Sequence, residues 1–259
     1  MHCEKVGDDK IKQTILEIKN LTKTYYSQSS QQTILSELNL KIDKGEFLCI
    51  LGPSGCGKST LIRCIAGFED FVGEITAKGK NVKKPGTDRL MVFQDFNQLY
   101  PWKTVEKNIQ YPLKLQKIKD KKKLKEISDD ALRKVDLEGR QKNYPHELSG
   151  GMKQRVAIAK ALALRSDIIL MDEPFAALDA MTRNKLQDEL TLIHNQSDIT
   201  VIFITHNIQE ALVLGTRILV MDKNGNIIID EINKIPKPVT PASVGYGETW
   251  NRLHNALGQ

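Results

Sequence analysis

An apolar stretch, Phe47–Leu51, runs straight into Gly52-Pro53-Ser54-Gly55-Cys56-Gly57-Lys58-Ser59-Thr60, and a helical segment from about Ser59 to Ala66 follows. No other stretch of the chain limits its fold as strongly. The turn matches GxxxxGK(S/T), a pattern that works where a strand delivers a loop to the N-terminus of a helix. A triphosphate carries several negative charges, so a loop can wrap it only with its backbone N–H groups aimed inward. Gly52, Gly55 and Gly57 permit that close approach. Pro53, Ser54 and Cys56 complete the loop, and the helix end adds roughly half a positive charge. Lys58 is expected to reach the β- and γ-phosphates, and the Ser59 hydroxyl to bind Mg²⁺, with Thr60 closing the motif.

The rest of the chain fits an α/β fold around this unit. Ile15–Ile18 and Leu38–Ile42 alternate like half-buried strands, with the polar run Ser27–Gln32 as the loop between them. Leu90–Phe93, Ile168–Met171 and Ile199–Ile204 are short continuous apolar runs, the character of parallel strands covered on both faces. Arg217–Met221 and Ile227–Ile232 flank Asn224-Gly225-Asn226 and read as a hairpin. From about 97 to 165 the period changes to that of helices, with Ile127, Ala131, Leu132 and Val135 at helical spacing, which predicts an inserted helical subdomain. After Pro236, Pro238 and Pro241, a short amphipathic segment carries Trp250, Leu253 and Leu257 on one face.

Composition narrows the setting. At 259 residues, with 40% hydrophobic and 27% charged, the chain has the make-up of a soluble globular domain. No apolar run approaches the roughly 18 to 20 residues that span a bilayer. The N-terminus lacks an apolar core of signal-peptide type, so the chain is expected to stay in the cytoplasm. Cys3, Cys49, Cys56 and Cys64 show no CxxC spacing and read as reduced thiols. Much of the +6 formal charge lies in Lys117–Lys125. Without interleaved aromatics, this run is expected to be a solvated helix face rather than a nucleic-acid site.

Two further signals carry chemistry. The run Ile168–Met171 ends in Asp172-Glu173. Asp172 is expected to hold the magnesium, directly or through water, and Glu173 to polarise the attacking water, with general-base help worth roughly 10² to 10⁴ in rate. Leu148-Ser149-Gly150-Gly151-Met152-Lys153-Gln154-Arg155 precedes a helix with an apolar face. Ser149, Gly150 and Gly151 expose backbone N–H groups there, a second anion site, and Ser149 also caps the helix. One nucleotide does not need two such sites in one chain. Two copies arranged head to tail would use both.

In these motifs the sequence resembles the ATP-binding cassette (ABC) ATPases, across about residues 13–235. The resemblance implies ATP with Mg²⁺ and a P-loop (RecA-like) core, carrying an antiparallel β subdomain and the helical subdomain at about 97–165. Residues 1–12 form an extension and 236–259 a tail. It makes Gly52–Thr60 the Walker A motif, Ile168–Glu173 Walker B and Leu148–Arg155 the family signature. Gln94 then contacts metal and attacking water, and Asp179, in Ala177-Leu178-Asp179, touches the partner subunit. His206 contacts the γ-phosphate, and Tyr25 stacks on adenine, with Tyr26 the weaker candidate. One departure is Met152, where a glutamine is common.

Four stretches, Phe93–Trp102, Leu148–Arg155, Asp172–Arg183 and Thr205–Ala211, resemble the nitrate, sulfonate and taurine importer branch. The resemblance implies a homodimer on the cytoplasmic side of the membrane. It would power uptake of a small solute, an anion such as nitrate, sulfonate or taurine or else a vitamin precursor, through integral permease subunits that touch Asn97–Val105, and an extracytoplasmic substrate-binding protein would work indirectly with it. Cassettes that act on ribosomes or nucleic acid, and exporter ATPases, are the alternatives. The first usually carry two cassettes or a long coiled-coil insertion, and exporters often fuse membrane segments.

Overall fold

The computed structural model describes residues 13–27, 30–94, 98–176 and 178–258. The expected extension 1–12 with Cys3, residues 95–97 and Ala177 lie outside the described residues. In chain order the elements are β1 (Thr14–Tyr26), β2 (Gln31–Asp43), β3 (Phe47–Leu51), α1 (Lys58–Ala66), β4 (Val72–Ala77), β5 (Lys80–Asn81) and β6 (Arg89–Val92). Three helices follow, α2 (Val105–Leu115), α3 (Lys121–Lys134) and α4 (Gly150–Leu164). The chain closes with β7 (Ile168–Asp172), α5 (Ala180–Asn195), β8 (Thr200–Ile204), α6 (Ile208–Leu214), β9 (Arg217–Met221), β10 (Ile227–Ile232) and α7 (Tyr246–Ala256).

Two sheets result. One is antiparallel, in the order β2-β1-β4-β5. The other runs β10-β9-β3-β8-β7-β6, parallel except for the β9–β10 hairpin. Strands β3, β7 and β8 are buried at every position, so the continuous apolar runs mark strands covered on both faces. The period of two then sorts their side chains. Phe47, Cys49 and Leu51 join the apolar cluster that holds residues of α2 to α7. Leu48 and Ile50 join the cluster that holds α1 and the antiparallel sheet.

The predicted stripe of the tail is real. Leu253 is fully buried, and Trp250 and Leu257 pack partly buried on the same cluster. The start of the tail and the residues just before it also close α6, whose last carbonyls would otherwise lack donors. Lys237 Nζ donates to Val213 O and Leu214 O, and Asn233 Nδ2 donates to Leu212 O and Gly215 O. Among the described residues no helix is long and apolar enough to cross a membrane. In the basic run the lysines are exposed while Leu124 is buried, so α3 turns its charged face to solvent.

Several boundaries differ from the sequence expectation. The first hairpin is longer than Ile15–Ile18 and Leu38–Ile42 suggest. Gln31 and Gln32, expected in the loop, pair with Tyr26 and Tyr25. Ser27 and Ser30 close the turn by hydrogen bonds of their own, including Ser27 N–H to Ser30 O at 2.8 Å, and so carry the ladder to its tip. Phe93 leaves β6 because side-chain amides take over its backbone groups. Ile199 precedes β8 rather than opening it. Strands β4 and β5 and helices α5 and α6 were not delineated from sequence.

Arg217 fastens the two sheets together. Its guanidinium donates in fork geometry to Asp230 Oδ1 and Oδ2 at 2.6 and 2.7 Å, and also to Glu46 Oε2 and to the β2 carbonyl of Lys41. The fork matches a carboxylate, and the guanidinium is largely covered while Asp230 stays open to solvent. Arg217→Ala leaves two carboxylates and a carbonyl without this donor. It is expected to lower unfolding free energy by about 2 kcal/mol, read from urea denaturation.

Candidate nucleotide site

Register decides where the charged groups lie. Ile50 of β3 pairs with Ile204 of β8, and Ile204 pairs with Asp172 of β7. The C-terminal ends of three parallel strands are therefore level. Gly52, Glu173 and Thr205 leave the sheet side by side, and Val92, paired with Met171, brings Gln94 to the same edge. Crevices outside the carboxyl ends of parallel strands are where open α/β sheets bind ligands.

The glycine-rich loop encloses Lys58. This side chain is 6% exposed, and its Nζ donates to Gly52 O at 2.7 Å and Pro53 O at 2.8 Å. Its charge is therefore centred in the loop. Ser59 Oγ donates to Asp172 Oδ1 at 3.0 Å, which joins the loop to the acidic strand end. Asp172 is buried, and burial raises its carboxyl above the usual range, against the Ser59 hydroxyl and the Arg63 and Lys58 charges. Burial of this kind disfavours the charged carboxylate, and the neighbouring hydroxyl and cationic side chains partly offset it.

The loop rests on two distant segments. Gly57 has φ 106°, and a Cβ there would lie 2.9 Å from Leu35 Cδ2 and 3.0 Å from Ile34 Cγ2. Gly225, in the β9–β10 turn, has φ 83°, and a Cβ there would lie 2.6 Å from Ile34 O and 3.2 Å from Cys56 O. Strand β2 and the hairpin turn thus press against the loop from outside.

Beside the loop stands a carboxylate–imidazole pair. His206 Nδ1 lies 3.1 Å from Glu173 Oε2. Glu173 has φ 45°, and its N–H bonds Ile204 O at 3.1 Å, so the backbone turns sharply off the sheet. A left-handed glutamate is uncommon and concentrates at functional sites.

Other expected residues take separate places. Gln94 is exposed at the strand-end edge. Tyr25 is 39% exposed, with Lys23 Nζ 4.7 Å from its ring centroid. It pairs with Gln32, three residues along β2 from Leu35, or about 10 Å at strand rise. Ser149 caps α4 by accepting from Met152 N–H at 3.3 Å. Asp179 caps α5 by accepting from Thr182 N–H at 2.9 Å, and this bond holds its carboxyl below the usual range. Among the described residues no hydrogen bond joins Ser149–Gly151 to the loop Gly52–Thr60 in the same chain. Gly151 faces Leu178 instead.

Two polar links escaped the sequence reading. Gln98 brackets Phe93 by accepting from its N–H and donating to its carbonyl, and Gln154, 1% exposed, donates to the same carbonyl and accepts from Gln98. The segment after β6 is thus tied to the helix that Ser149 begins. Glu210 and Arg183 form the second link. The one available signal was a polar residue inside each apolar helical pattern, at Gln154 and at Glu210.

Gly57→Ala is expected to push the loop off Ile34 and Leu35. The readouts are a melting temperature lowered by several degrees, on the scale of about 1–2 kcal/mol, and a chemical-shift change at Leu35 methyls.

Comparison with known proteins gives the family. The family model described as "ABC transporter" matches residues 35–176. The aliphatic sulfonates import ATP-binding protein SsuB of Bacillus cereus is 43% identical over 238 residues, covering 91% of this chain and 93% of that protein. The bicarbonate transport ATP-binding protein CmpD of Synechocystis is 40% identical over 244 residues, covering 93% and 86%. The dimeric, post-hydrolysis structure of the ATP-binding cassette MJ0796 bound to ADP and Pi aligns with a TM-score of 0.76 at 33% identity, covering 85% of this chain and 99% of that one. With a family model over more than half of the chain and relatives at 43% and 40% identity along most of its length, the chain belongs to the ABC transporter family as one of its ATP-hydrolysing cassettes.

Proposed function

We propose that two copies of this chain, set head to tail, hydrolyse MgATP to drive uptake of a small anion through separate permease subunits. One observation carries the site reading: the 3.0 Å bond from Ser59 to Asp172 joins the phosphate loop to the strand whose next residue, Glu173, holds His206. Phosphate-facing and water-activating groups therefore converge at one edge of the sheet.

The roles follow from chemistry. Backbone N–H groups of Gly52–Thr60 and the N-terminus of α1 receive the phosphates, and Lys58 exchanges its loop carbonyls for phosphate oxygens. Ser59 and Asp172 offer hard oxygen donors, which suit Mg²⁺ completed by phosphate oxygens and water. Bound Mg²⁺ would offset charge on the phosphates. Glu173 accepts the proton of the attacking water. His206 orients Glu173 and donates toward the γ-phosphate, and Gln94 contacts the metal and that water. Tyr25 stacks on adenine, at a distance from the loop that suits a nucleoside.

Ser149, Gly150 and Gly151 cap the nucleotide of the other copy, and Asp179 meets that copy. The separate place of this turn, away from its own phosphate loop, supports the arrangement. The importer role draws on the relatives that import aliphatic sulfonates and transport bicarbonate, both of which act on small oxyanions. Such a cassette would sit at the cytoplasmic face of the membrane. Its permease would dock beside the segment that Gln98 and Gln154 tie to α4, and an extracytoplasmic binding protein would deliver the cargo.

Glu173→Gln is expected to keep ATP affinity within about threefold, to lower turnover by about 100-fold or more, and to accumulate a dimer with MgATP in size-exclusion chromatography. Normal turnover in this variant would refute the role of Glu173. Lys58→Ala is expected to weaken ATP binding by at least about tenfold in equilibrium titration, because a charge-assisted phosphate contact is lost.

A further inference from the structure

A buried polar chain leads away from His206 and ends on the turn at Ser149. Thr205, next to His206, donates its hydroxyl to Glu210 Oε2 at 2.6 Å and accepts from Asn207 N–H at 3.0 Å. Glu210 is 5% exposed, and its Oε1 lies 3.6 Å from Arg183 Nε. Arg183 Nη2 in turn donates to Leu178 O at 3.0 Å. Leu178 packs on the signature turn, where a Cβ added to Gly151 would lie 3.0 Å from Leu178 Cδ2. The covalent chain closes the circuit, because Leu178 lies five residues after Glu173 in the sequence and Glu173 holds His206.

The pair joins a buried carboxylate to a partly exposed guanidinium, and apolar side chains of similar volume often hold two segments as well as a largely desolvated ion pair does. What the pair adds is direction. Burial raises the Glu210 carboxyl, and the Thr205 hydroxyl and then the Arg183 charge oppose that rise. Arg183 Nε is itself buried with no hydrogen-bond acceptor. A shift of about half an ångström toward Glu210 would supply one.

We infer that Glu210 and Arg183 are positioning residues that tie the His206 loop to Leu178, and through it to the Ser149–Gly151 turn. This rests on the site reading given under Proposed function. In a head-to-tail pair, His206 faces the nucleotide of its own loop while Ser149–Gly151 faces the other one. The link therefore joins the parts of one chain that serve two different nucleotides.

The test uses the full chain with MgATP and three variants: Glu210→Gln, Arg183→Met and the two combined. Melting temperature, nucleotide affinity and kcat are measured for each. Arg183→Met strands a buried carboxylate and is expected to melt lower, and the combined variant, which removes that charge, regains most of the loss. Affinity stays within about threefold throughout, since neither side chain touches the phosphate loop. The kcat falls at least about tenfold in each single variant and no further in the combination, as expected for two residues acting as one unit. Recovery of kcat together with melting temperature in the combined variant would show a merely structural role and overturn the inference. So would kcat losses that multiply. Wild type and Glu173→Gln run in the same assay. If they behave as proposed while Arg183→Met turns over normally, the linkage alone is rejected. If wild type shows no turnover, the site reading fails and the linkage falls with it.

Discussion

Parallel pairing in a single register is the constraint on which this molecule depends. Because Ile50, Ile204 and Asp172 sit level, the loop after β3, the acidic end of β7 and the segment after β8 leave the sheet at one height. A one-residue slip of β7 would move Asp172 away from Ser59 and turn its apolar side chains to the wrong faces. The same alternation that buries Phe47 and Cys49 on one face and Leu48 and Ile50 on the other therefore sets the geometry of the site. Packing and chemistry share one cause.

Much of this was legible in the chain. The strand–loop–helix unit, the acidic strand end and the capped helix at Ser149 are each local, and local geometry is what residue types encode. Buried runs such as Ile168–Met171 were readable because they are apolar without alternation. The tail stripe at Trp250, Leu253 and Leu257 was readable for the opposite reason, its period. Strands β4 and β5 were harder. Val72, Gly73 and Glu74 are exposed, and only the pairing to β1 makes them a strand. Propensity does not carry such information.

The polar links were illegible for a different reason. Gln98, Glu210 and Arg183 each join a partner five residues away to one distant in the chain, the Gln154 amide joins two distant ones, and no spacing rule predicts the distant ones. Gln154 stands 56 residues from Gln98, and only the fold brings them to 3.2 Å. In an apolar interior such groups must find partners, because an unpaired one costs about 1–3 kcal/mol. Their places mark where the helical segments are held to the sheet. They also show that these segments are joined by directional contacts, in addition to the apolar cluster that runs through both.

The hairpin turn Asn224-Gly225-Asn226 illustrates how context changes a familiar element. Asp222 closes it in the ordinary manner, accepting from Asn224 and Asn226 N–H groups at 2.8 and 2.9 Å. Turn tips are commonly the most forgiving places in a protein, open to added residues, tags or new chain ends. This one is wedged beneath Ile34 and Cys56, with Gly225 buried. It acts as a footing for the loop around Lys58, so peptide grafted there would unsettle the nucleotide cradle from below.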